Sequence, residues 1–145
     1  MTQLQEDLAK VPLFSDLNQR KLRKLAKGFK EKTIGPGITV VREGHMDGVG
    51  FFVIAEGKAT VSVSGVNVAV IGPGDYFGEI AMITERARGA TVTAETQLRC
   101  LRMAFWDLRR FAKENPDVCW KLLQHLANVL VEDRARHAQA AIQAS

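Results

Sequence analysis

Between Ile34 and Ala94 short apolar alternations follow one another too closely for helices, with a turn signal between each pair: Gly35-Pro36-Gly37, Glu43-Gly44, Glu56-Gly57, Ser64-Gly65-Val66-Asn67 and Gly72-Pro73-Gly74-Asp75. Strands this closely spaced must pair antiparallel and close on themselves as a β-sandwich or roll. Ala59, Val61 and Val63 alternate with Thr60, Ser62 and Ser64, which predicts one buried and one wetter face, and Val66, Val68 and Val70 answer them across a tight turn. The alternation pauses at Gly78-Glu79-Ile80-Ala81-Met82-Ile83, enough for one or two helical turns, and resumes as strand at Ala90-Thr91-Val92-Thr93-Ala94. The predicted class is therefore α+β, an antiparallel β-roll over residues 33–103 with a short helix set inside it.

Helices flank the roll. Residues 1–32 read as a helical preface, with Leu4, Leu8, Val11 and Leu13 in a stripe, a break at Pro12, an N-cap at Ser15-Asp16, and Leu22, Leu25, Ala26 and Phe29 at helical spacing. Residues 104–145 are helical again: Phe105, Leu108 and Phe111 share a face, Asn115-Pro116 starts a new helix, and Val118, Leu122, Leu123, Leu126, Val129 and Leu130 give that last helix an apolar side. With 145 residues, 46% of them hydrophobic and 25% charged, the chain is expected to form one domain over 1–145. Its longest apolar run, Val49 to Ala55, is too short to span a membrane, and its opening is polar, so a cytoplasmic protein with no membrane partner is expected.

Charge and reactive residues narrow the function classes. Arg20 to Lys32 holds seven basic residues and one acidic one, within a net charge of +4, and its helical spacing reads as a solvated helix face. Cys100 and Cys119 have no metal-ligand spacing and are expected as reduced, buried small hydrophobes; Trp106 and Trp120 are expected in helix packing. His45, His125 and His137 form no strand-spaced pair with a carboxylate, and the serines lie in no nucleophile elbow, so neither metal catalysis nor an enzyme is expected.

One stretch carries chemistry: Gly74-Asp75-Tyr76-Phe77-Gly78-Glu79-Ile80-Ala81-Met82 followed by Arg88-Gly89-Ala90-Thr91-Val92. A glycine at a helix start admits a ligand close to the backbone, and the first N–H groups of the helix offer an anion seat. Arg88 can add a charge-assisted fork, better placed than Arg86 relative to Ala90-Thr91-Val92, while Glu79 can accept from sugar hydroxyls. An anion receptor beside a hydroxyl acceptor suits a ribose phosphate, and hence a nucleotide.

These residues resemble the phosphate-binding cassette of the cyclic nucleotide-binding domains of the catabolite activator protein, protein kinase A regulatory subunits and cyclic nucleotide-gated channels. Val11-Pro12-Leu13-Phe14, Pro36-Gly37, Gly57 after Phe52-Val53-Ile54, and Asn115-Pro116 extend the resemblance along nearly the whole chain. It implies a double-stranded jelly roll, with the cassette at 77–92 and a long C-terminal helix that closes over the base. By resemblance, Glu79 takes the ribose 2′-hydroxyl, the amides of Ile80 and Ala81 following Gly78 face the cyclic phosphate, Arg88 pairs with it, and Val61 and Ile71 pack on base and sugar. Gly89, before Ala90, replaces the hydroxyl residue that cGMP-preferring members use, so cAMP is the expected ligand with cGMP second. Counting from Asn115-Pro116 brings Asp133 to the adenine, where a carboxylate can accept from N6 and repel a guanine O6.

The expectation is a regulatory sensor, with no cofactor beyond its ligand, acting on an unidentified protein effector. It carries no DNA-binding domain in this chain, and a homodimer through Leu122, Leu126 and Val129 is open to it. The alternatives are a fragment of a larger cyclic nucleotide-responsive transcription regulator and a structural interaction module without ligand.

Overall fold

A computed structural model describes residues 1–45, 50–84 and 89–144. In chain order they form α1 (Gln3–Ala9), a 3₁₀ turn (Pro12–Phe14), α2 (Gln19–Ala26), β1 (Phe29–Ile34), β2 (Thr39–Val41), β3 (Gly50–Glu56), β4 (Ala59–Val63), β5 (Val66–Ile71), β6 (Tyr76–Phe77), α3 (Glu79–Thr84), β7 (Thr91–Ala94), β8 (Leu98–Ala104), α4 (Phe105–Glu114) and α5 (Pro116–Ala144). Two compact units result, Met1–Arg110 and Phe111–Ser145.

The first unit holds two four-stranded antiparallel sheets, ordered β1-β8-β3-β6 and β2-β7-β4-β5. Phe52, Ile54, Phe77, Leu98 and Cys100 from the first and Val41, Ala59, Val92 and Ala94 from the second form one buried cluster, the inside of the roll. Strand alternation turns Phe51 and Phe29 to the other face of the first sheet, where each ring lies 6.3 Å from Phe14 of the 3₁₀ turn. The expected α+β roll is thus built with both faces of its first sheet covered.

The structure refines the sequence reading and departs from it in places; the N-cap of α2, for one, is Asn18 rather than Ser15-Asp16. The helical preface expected to reach residue 32 stops at Ala26, and Phe29–Ile34 is a strand paired along its whole length with β8. Phe29 satisfies the helical spacing from Leu25 and a strand's inward position equally well, and the six-residue ladder with β8 decides between them. The β4–β5 turn is only Ser64-Gly65, with φ 52° and 78°, the positive pair of a two-residue hairpin, and the Glu43 carboxylate accepts from the Ser64 N–H at 2.8 Å. Finally, a bulge at Val68 shifts the register, so that Ala69 faces Val61 and Ile71 faces Ala59 while Val70 stands opposite Thr60 and is 62% exposed.

Arg99 of β8 joins α1, β1 and β3. Its guanidinium lies 2.9 Å from the buried Asp7 carboxylate, donates to Glu31 at 2.7 Å and to Glu56 at 3.1 Å. Asp7 also accepts from the Gln3 side chain at 3.0 Å. The Asp7 contact, then that of Glu31, hold Arg99 firmly protonated against the cost of burial.

In the second unit Asn115 is buried; its amide donates to the Phe111 carbonyl at 2.9 Å and its own carbonyl accepts from Val118 at 3.0 Å, tying the end of α4 to the first turn of α5. Val118 and Leu122 are buried, whereas Trp120, Leu123, Leu130 and Val131 are exposed. The expectation that Cys119 and Trp120 are packed does not hold, since both stand on this exposed side, and Trp106 of α4 is exposed as well. The two cysteines therefore differ: burial pushes the Cys100 thiol above its usual range, while Cys119 is open to solvent. Titration of native protein with an aromatic disulfide at neutral pH should show one fast thiol per chain, absent in Cys119→Ser. A second fast thiol would contradict the placement of Cys100.

Candidate nucleotide-binding site

The candidate site starts on the first sheet and ends on the second. Asp75 closes a turn after β5, its N–H donating to the Gly72 carbonyl at 3.0 Å and its carboxylate accepting from the Gly72 N–H at 2.8 Å. The chain then enters β6, where Phe77 stacks on Phe52 with ring centroids 4.9 Å apart and planes 6° from parallel. This anchored ring fixes the position of the next residue. Gly78 takes φ 98°, a conformation costly for any side-chain-bearing residue, and so reverses the chain directly into α3.

Glu79 is the first residue of α3 and is 5% exposed. A carboxylate there complements the positive end of the helix, and α3 packs against β3. Its negative charge is felt by Tyr76: burial first, and the nearness of Glu79 second, push the phenol above its ordinary value, so Tyr76 keeps its proton throughout the neutral range. Ile80 and Ala81 follow within the first turn of α3. Sequence reasoning assigned nothing to Tyr76 or Phe52; the signal for Tyr76 was its place two residues before the glycine, while Phe52 emerges only from strand pairing.

Arg88, the expected phosphate partner, and its competitor Arg86 lie outside the described residues. The chain is described again at Gly89, exposed, and Ala90, half-buried, which lead into β7. There Val92 pairs with Val61 and Thr91 with Ser62 of β4, and the Thr91 hydroxyl accepts from the Glu43 N–H at 3.0 Å. Val61 and Ile71 share the inward face of the second sheet, and both pack against the cluster that contains Phe77 and Val92. The structure therefore brings Val61, Ile71 and the two described ends of the cassette to the border of one apolar cluster.

Asp133 belongs to the second unit. It is half-exposed on α5, 3.3 Å from His137 Nδ1 and 3.6 Å from the Arg136 guanidinium, one turn on in each case. Among the described residues no group of three or more histidines, cysteines and acids is disposed to hold a metal ion, and no helix is long and apolar enough to cross a membrane.

Comparison with known proteins bears on the fold and the family. The cyclic nucleotide-binding domain family matches residues 31–115, which run from β1 to the start of the last helix and include the whole cassette. A cAMP-dependent protein kinase regulatory subunit of Yarrowia lipolytica is 39% identical over 94 residues, 63% of this chain and 25% of that protein. A cGMP-dependent protein kinase of Toxoplasma gondii is 31% identical over 127 residues, 86% of this chain and 12% of that one. The chain thus spans a quarter or less of these two relatives. The catabolite activator protein of Thermus thermophilus shares the fold, with a TM-score of 0.81 at 24% identity over 90% of this chain and 63% of that one. With its roll, its glycine-delivered α3 and a family match across both, the chain belongs to the cyclic nucleotide-binding domain family.

Proposed function

We propose that the chain is a regulatory sensor of cyclic nucleotides that prefers cAMP and reports occupancy through its C-terminal helix. The observation that carries this reading is Gly78 at φ 98° delivering a buried Glu79 straight from β6 into α3, beside the apolar border formed by Val61 and Ile71. In this reading Glu79 accepts from the ribose 2′-hydroxyl, the Ile80 and Ala81 amides and the Arg88 guanidinium share the cyclic phosphate, and Val61 and Ile71 cover base and sugar. Gly89 and Ala90 complete the rim. Binding at about 0.3 kcal/mol per heavy atom gives a ligand of this size roughly 6 to 7 kcal/mol, a Kd of about 10 μM or tighter.

Helix movement follows only if the ligand binds one arrangement better than the other. Asp133 supplies such a difference if its carboxylate accepts from the adenine N6 amino group in the occupied state alone. Asp133→Ala should lower the ratio of cAMP to cGMP affinity by about tenfold, the loss of one charged hydrogen bond. Equal affinities in the parent protein would remove the preference, and an unchanged ratio in the variant would remove Asp133 as its source. A homodimer through α5 would use Trp120, Leu123, Leu130 and Val131, because Leu122 is already buried; light scattering that reads a monomer at high concentration would exclude it.

The sensor reading is tested by thermal unfolding with cAMP, cGMP, AMP and ATP. A ligand at about a hundred times its Kd stabilises by about 2.7 kcal/mol, a rise of roughly 5 to 10 °C for a chain of this size. Cyclic nucleotides should give this rise and the linear ones should not. A flat response to all four would favour a structural module instead.

A further inference from the structure

We propose that the first unit docks on anionic lipid bilayers through a surface formed by α2 and α4, a property separate from nucleotide binding. On α2 and its C-cap, Arg20, Arg23, Lys24 and Lys27 recur at one-turn spacing and all are exposed, while Leu22, Leu25 and Ala26 are buried behind them. On α4, Trp106, Arg109 and Arg110 repeat the spacing i, i+3, i+4; all three are exposed, Trp106 to 68%, with Leu108 buried behind. The two helices adjoin: a Cβ placed on Gly28, just past α2, would come 3.8 Å from the Asp107 Cβ of α4 and collide with Met103. A cationic stripe on one helix is an ordinary solvated face, as its spacing in the sequence suggests. A second stripe on an adjoining helix, with an indole set among its arginines, is not explained by solubility.

The chemistry of the pair selects the partner. The cations lie on two adjoining helices rather than on one. A fluid layer of acidic headgroups supplies anions in any arrangement, whereas a nucleic acid offers a line of phosphates and a protein a fixed pattern. An exposed indole one helical turn from two arginines is also what the headgroup region favours, with its apolar ring in the acyl boundary and its N–H in the polar layer. Each cation near an acidic surface strengthens binding about fivefold, so the cations and the single indole act together as the two signals that stable docking needs.

The test is cosedimentation of the whole chain with phosphatidylcholine vesicles, with and without phosphatidylserine, at low and high salt. Binding is expected only with phosphatidylserine and should fall with salt. Arg109→Glu with Arg110→Glu should weaken it at least tenfold, and Trp106→Ala should weaken it several-fold, both with unchanged melting temperature and cAMP response. In Trp120→Phe, which leaves Trp106 as the sole tryptophan, emission should shift to the blue on vesicles. Absence of binding to acidic vesicles, equal binding to neutral ones, or full binding by the charge-reversed variant would overturn the proposal. So would salt-sensitive binding of duplex or single-stranded DNA by a protein that leaves vesicles untouched.

Discussion

Arg99→Ala should lower the melting temperature by about 10 °C. Arg99 is mostly buried and lies against Asp7, whose side chain is only 7% exposed, so its removal strands a carboxylate away from water. Breaking a buried pair from one side costs about 3 kcal/mol, and for a chain of this size each kcal/mol moves the midpoint by roughly 3 °C. The pairs to Glu31 and Glu56 add little, because both carboxylates are more than half exposed. The effect is therefore assigned to Asp7, which makes it separable. Asp7→Asn in the Arg99→Ala background should recover much of the loss, since the group left behind is then neutral. Differential scanning calorimetry on the parent, the two single variants and the double variant measures this. An Arg99→Ala midpoint within two or three degrees of the parent would mean that Asp7 finds water without Arg99 and that the join of α1 to the sheet is not electrostatic.

Removing either charged group of the cassette should weaken cAMP binding by one to two decades. Arg88→Ala deletes charge-assisted hydrogen bonds to phosphate, and Glu79→Ala deletes an acceptor for the ribose hydroxyl; each is worth about 1.5 to 3 kcal/mol. The two losses should look different. Arg88→Ala should weaken cyclic nucleotides of either base alike and flatten the salt dependence of binding, because a cation has gone. Glu79→Ala should make the protein indifferent to the 2′-hydroxyl, so that 2′-deoxy-cAMP and cAMP bind equally, whereas the parent should prefer cAMP. Unaltered affinity in Arg88→Ala would remove that residue from the site without touching the fold.

Much of this was legible in the sequence for physical reasons that can be named. The roll was readable because turn glycines and prolines punctuate it: Gly35-Pro36-Gly37 and Gly72-Pro73-Gly74 stand at the ends of β1 and β5. The turn into α3 was readable because a glycine needed for its φ and the acid that opens the helix are adjacent in the chain. Features that depend on strand pairing were not readable. Phe29 fits a helix and a strand equally, and the β8 ladder settles it as strand. The valine alternation points Val66, Val68 and Val70 inward, yet all three are exposed; the bulge at Val68 accounts for Val70 alone, because a single extra residue moves every later side chain of the strand to the opposite face. Composition alone points Trp106 and Trp120 toward packing, yet Leu108, Phe111, Val118 and Leu122 already fill the buried sides of α4 and α5.

The central claim is that this roll binds a cyclic nucleotide through the cassette opened by Gly78, and titration calorimetry of the folded chain with cAMP reads it most directly. One molecule per chain with a Kd of about 10 μM or tighter, weakened at least tenfold in Glu79→Ala, is the expected result. No heat from either cAMP or cGMP, or an affinity that Glu79→Ala leaves unchanged, would contradict it.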